Sequence, residues 1–124
     1  MAFNESECLY VAKYLVGEQY GPCSLEASQR AAVSRAYFAA FIYVRNYAID
    51  NYDFKPKNNA EDHKRLKNHL IDNGETAIAG DLQDLSIRRG ACDYDKIVLG
   101  TENSKKQMVS DTIKLSEDII KTLK

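Results

Sequence analysis

Leu25-Glu-Ala-Ser-Gln-Arg-Ala-Ala-Val-Ser-Arg-Ala-Tyr-Phe-Ala-Ala-Phe-Ile-Tyr-Val-Arg-Asn-Tyr-Ala-Ile49 lies within the longest run of this chain that is free of glycine and proline. Ala32, Val33, Ala36, Tyr37, Ala40, Phe41, Val44 and Ala48 recur within it at intervals of three and four, the period of one helix face. A stripe so broad predicts a long helix in the centre of a bundle, and its alanines let neighbouring helices approach closely. Ser24 is placed to cap this helix, although Ala27 stands where the glutamate of a full capping box would be.

Outward from this helix, a first one is expected over about 5–17, with Leu9, Ala12 or Lys13, and Val16 on its inner face and Gly21-Pro22 breaking the chain after it. The segment from Asn51 to Asn59 is polar and reads as a loop. A third helix is expected over about 60–73, with His63, Leu66 and Leu70 on one face and Asn73-Gly74 as its stop. A fourth is expected from about Glu75 to Cys92 or Tyr94, weakened by Gly80 and Gly90, which close packing or a bend would explain. The last begins at Ser104, with Met108, Val109, Thr112, Ile113, Leu115, Ile119, Ile120 and Leu123 on its apolar side. No strand pattern competes. The expected fold is therefore all-α, an up-and-down bundle of four to five helices in one domain over residues 1–124.

Composition narrows the function. The chain holds 17 Lys and Arg against 18 Asp and Glu, a net charge of −1, so it has no overall field for gripping nucleic acid and any such contact must be local. Met1-Ala-Phe-Asn-Glu-Ser-Glu opens without a basic leader, and no apolar run approaches the roughly 20 residues that cross a bilayer, so a cytoplasmic protein without membrane contact is expected. Cys8, Cys23 and Cys92 have no metal-ligand spacing and suit free thiols in a reducing compartment. His63 and His69, six apart, share no helix face. No metal and no cofactor is expected.

The fourth helix carries the chemistry. Ile78, Leu82, Leu85, Arg89 and Cys92 follow one face, so a permanent cation stands in line with core residues and must find acceptors or reach a cleft. Asp93, one turn on, is the nearest acceptor, and Tyr94 adds a second polar group. One reading is a structural ion pair at a helix end; the other is a binding site. His63-Lys-Arg-Leu-Lys-Asn-His69 is a positive cluster that either contacts phosphate, with Arg88 and Arg89 extending it, or is a solvated helix face. Tyr10, Tyr14, Tyr20, Tyr43, Tyr47 and Tyr52 exceed what so small a core can hold, which points to an interface.

Two segments, Ala32-Val-Ser-Arg-Ala-Tyr-Phe-Ala-Ala-Phe41 and Leu85-Ser-Ile-Arg-Arg-Gly-Ala-Cys-Asp-Tyr-Asp95, resemble the HEPN domains, small helical proteins of prokaryotic toxin–antitoxin, defence and nucleotidyltransferase-associated systems. The first is similar to the family's S-R-A-Y-Y-A-A-F helix, with Phe38 for the second tyrosine, and so draws attention to Ser34 and Tyr37. The second is similar to its R-x-x-A-D-Y-D motif at Arg89, Asp93, Tyr94 and Asp95, with Cys92 for the alanine, and His63 sits where many members place a histidine. The resemblance implies a module that binds RNA, nucleotide or a nucleotidyltransferase-type partner through Ser34, Tyr37, Arg89, Asp93 and Tyr94. It also implies a homodimer with two-fold symmetry and, in some toxins, nucleotide transfer to a tyrosine placed as Tyr94 is. Active HEPN ribonucleases carry an R-x4-6-H motif, whereas this chain has no histidine after Asn73. The alternative reading is a metal-independent ribonuclease toxin in which Arg88 or Arg89 holds phosphate and His63 moves the proton.

Overall fold

A computed structural model describes residues 6–15, 25–94 and 102–124. These form five helices, α1 (Ser6–Leu15), α2 (Leu25–Tyr52), α3 (Asp62–Asp72), α4 (Thr76–Tyr94) and α5 (Glu102–Leu123), and no strand among the described residues. The protein is an all-α helical bundle. No helix among them is long and apolar enough to cross a membrane.

The alanine stripe makes α2 the axis of the bundle. Ala32, Ala36, Ala39, Ala40 and Ala48 are wholly buried, and α1, α3, α4 and α5 all pack on this one helix. Its first half shares a core with α1 and α5 through Leu9, Ala12, Val33, Val109, Ile113 and Ile120. Its second half packs Tyr37, Phe41 and Val44 against Leu66 and Leu70 of α3 and Ile78, Leu82 and Leu85 of α4. Buried hydroxyls on α5 are satisfied: Ser116 donates to the Ala36 carbonyl at 2.7 Å, and Thr112 to the Met108 carbonyl one turn back at 2.7 Å.

The expected loop at Asn51 begins later than its composition suggests, because α2 continues through Tyr52. Tertiary bonds hold the extra turn: the Tyr52 hydroxyl donates to Glu75 at 2.7 Å, and His69 Nε2 meets the Tyr52 carbonyl at 2.6 Å. Asp53, at φ 55, then turns the chain, and the Phe54 N–H closes onto the Ala48 carbonyl. Beyond it, the buried Asp62 carboxylate accepts the N–H groups of Lys57 and Asn58 and the guanidinium of Arg65, which hold its pKa below the ordinary aspartate value. α3 stops where Asn73-Gly74 implies. Gly74 lies at φ +85, the Glu75 N–H reaches the Leu70 carbonyl and the Gly74 N–H reaches that of Ile71, a Schellman closure.

α5 starts at Glu102, two residues before the expected Ser104. Of the two explanations offered for Gly80 and Gly90, close packing does not hold, since nothing lies within 4 Å of a methyl group built on either. Val16, Cys23 and Ser24 lie outside the described residues.

Candidate functional site

Tyr37 is the largest side chain on the alanine stripe and only 1% exposed, so its hydroxyl must be paired inside the bundle. It bonds to Nδ1 of His63, which α3 presents from its first turn, and Ser86 of α4 hydrogen-bonds to the same phenol. Three helices thus meet at one oxygen. Burial pushes the Tyr37 pKa up to about 12, against the opposing influences of Arg89 and Ser86, so the phenol stays protonated. Either the phenol donates to Nδ1 or the Nδ1–H donates to the phenol, according to the imidazole tautomer.

Aromatic rings fix the histidine plane. His63 stacks on Phe41 with centroids 4.1 Å apart and on Tyr37 at 5.5 Å. Burial and the Arg89 charge lower its pKa from the ordinary 6.5, with Asp62 opposing, so the ring is neutral at physiological pH. A histidine protonated less readily when folded makes stability fully present above about pH 6.5 and lost as pH falls through the folded value. Urea unfolding followed from about pH 8 to about pH 5 should therefore show wild type losing more stability below pH 6.5 than His63→Phe does. Parallel curves would refute this.

Arg89 is half-buried, and its guanidinium lies 5.4 Å from the centroid of Tyr37 and 4.9 Å from that of Phe38. Both rings come from α2. Arg35 covers Phe38 as well, at 5.3 Å. Cation–π contacts of this kind contribute on the order of 0.5–2 kcal/mol each and hold the cations in place.

Beside this group α3 and α4 enclose a cleft of about 240 Å³. Tyr37 and Leu82 floor it; His63, Lys64 and Lys67 come from α3, and Gln83 and Ser86 from α4. Lys67 Nζ donates to Gln83 Oε1 across it at 2.9 Å. No carboxylate is among these lining residues, and the nearby Asp62 has its oxygens engaged by Lys57, Asn58 and Arg65.

Of the residues singled out in the sequence, the structure brings together Tyr37, His63 and Arg89. Ser34 stands half-buried one turn before Tyr37 on α2. Arg88 is turned elsewhere: it bonds to Thr112 of α5 and to Asp84, each at 3.2 Å, a pairing that ties α4 to α5. The side chains of Cys92, Asp93 and Tyr94 lie outside the described residues. Tyr10 and Tyr14 are exposed on α1, Tyr43, Tyr47 and Tyr52 are half-buried, and Tyr20 is outside the described residues. Gln83, Ser86 and Phe41 were not legible as site residues. Ser86 precedes Arg89 by one turn, which is a signal only once Arg89 is known to face Tyr37; Gln83 carried none. Among the described residues no group of three His, Cys, Asp or Glu is placed to hold a metal ion.

No protein-family model matches the chain, and no curated protein or solved structure matches it.

Proposed function

We propose that this chain is a HEPN-like module of a toxin–antitoxin, defence or nucleotidyltransferase-associated system, and that it binds single-stranded RNA without cleaving it. The observation that carries the reading is the gathering of His63, Lys64, Lys67 and Arg89 around Tyr37 on one side of a chain whose net charge is −1. The two segments that resemble the family also meet in space, Tyr37 and Phe38 from one against Arg89 from the other. Local cations beside aromatic rings suit a single strand, which is gripped through phosphate and stacking.

Binding is favoured over cleavage by the state of His63. A general base needs a ring nitrogen facing the 2′-hydroxyl; Tyr37 engages Nδ1 of His63, and the chain has no histidine after Asn73. The rival, a metal-independent ribonuclease using Arg89 and His63, is favoured by the contact both residues make with Tyr37.

Fluorescence anisotropy with a labelled 5′-hydroxyl oligoribonucleotide decides between them. We expect salt-sensitive binding, weakened about tenfold by Arg89→Ala, with the RNA intact in chelator. No binding at about 50 mM salt overturns the proposal. Cleavage that Arg89→Ala abolishes installs the rival.

A further inference from the structure

We infer that the cleft between α3 and α4 is a receptor for a phosphomonoester, the terminal phosphate of a nucleotide or of an RNA end. The inference rests on the reading of this cleft as a binding site, but not on the ligand being a strand. It follows from the polarity of the hydrogen-bonding groups. Lys64 and Lys67 carry only donors. Gln83 accepts from Lys67 through Oε1 and offers the two donors of its NH₂ group, and Ser86 adds a hydroxyl that can donate. Each of these groups can give a proton, and none of the lining residues is acidic.

A cleft with two lysines and no carboxylate favours a ligand made of acceptor oxygens. Two ammonium groups match the charge of about −1.5 to −2 that a phosphomonoester carries near neutrality, whereas a backbone diester carries one and offers fewer oxygens. Size agrees with an end group. About 240 Å³ is below the roughly 300–1,000 Å³ of pockets for drug-sized ligands, room for a phosphate with part of its sugar.

Titration calorimetry with the full chain tests this, using adenosine 5′-monophosphate, adenosine and inorganic phosphate. The monophosphate should bind at least about tenfold more tightly than adenosine, and inorganic phosphate should compete with it. Gln83→Glu places an acceptor among the donors at nearly constant shape. It should weaken the monophosphate about tenfold or more while leaving the melting temperature unchanged, because the new carboxylate still pairs with Lys67. Lys106→Gln, on the exposed surface of α5, should change nothing. Oligoribonucleotides ending in 5′-phosphate, 3′-phosphate or hydroxyl groups then separate a free nucleotide from an RNA end as the source. Adenosine binding as well as its monophosphate, or Gln83→Glu binding unchanged, overturns the inference. Hydroxyl-ended RNA binding while phosphate and monophosphate do not would also overturn it, yet leave the RNA reading intact. Monophosphate bound with every oligonucleotide ignored supports the inference and sinks that reading.

Discussion

Tyr37→Ala is expected to lower the unfolding free energy by about 3–5 kcal/mol, measured by urea denaturation at neutral pH. The side chain is 1% exposed and touches its own helix and two others: Phe38 and Phe41 on α2, His63 on α3, and Ser86 and Arg89 on α4. Its removal leaves a cavity that the neighbouring alanines cannot fill, takes the partner from His63 Nδ1 and removes a ring from beneath the guanidinium. Tyr37→Phe isolates the hydroxyl and should cost about 1–3 kcal/mol, the penalty for leaving a polar partner in the bundle unpaired. The alanine variant losing no more than the phenylalanine one would mean that the ring contributes nothing beyond its oxygen, contrary to the packing described.

Ala36→Leu should destabilise by about 3 kcal/mol in the same assay. Ala36 is wholly buried where α5 crosses α2, and its carbonyl accepts the Ser116 hydroxyl at 2.7 Å. Extra methylenes there push α5 outwards and stretch that bond, so overpacking and hydrogen-bond loss act together. Ala31, exposed on the opposite face of α2, provides the comparison: Ala31→Leu should alter stability by less than about 0.5 kcal/mol. Equal effects at the two positions would contradict the close crossing of α2 and α5.

Much of the bundle was legible because helix periodicity is local. Leu66, Leu70, Ile78, Leu82 and Leu85 were all assigned inward from spacing alone and all are buried. The end of α2 was not, since Asn51 and Tyr52 have turn-forming composition and are kept helical by groups distant in the chain, Glu75 and His69. Gly80 and Gly90 misled for a related reason: a glycine reports a permitted backbone, and the open space around both shows that packing does not require it.

The candidate site divides in the same way. Arg89 drew attention through its position on an apolar stripe, and His63 through its place in a basic cluster, but their relation to each other depends on how α3 lies against α4. Lys67 and Gln83 meet across that seam although 16 positions apart, and no periodicity relates residues on different helices.

The amino-acid order alone determined that this chain is helical, which face of each helix turns inward, and that a cation would sit among core residues, because each of these follows from a repeat of 3.6 residues and the cost of burying charge. Only the tertiary structure decided that Tyr37 joins Arg89 to His63, that Arg88 turns away to α5, and that the cleft beside them gathers two lysines without a carboxylate. Those facts depend on the rotation and offset of one packed helix against another, which many side chains settle together and no single segment encodes.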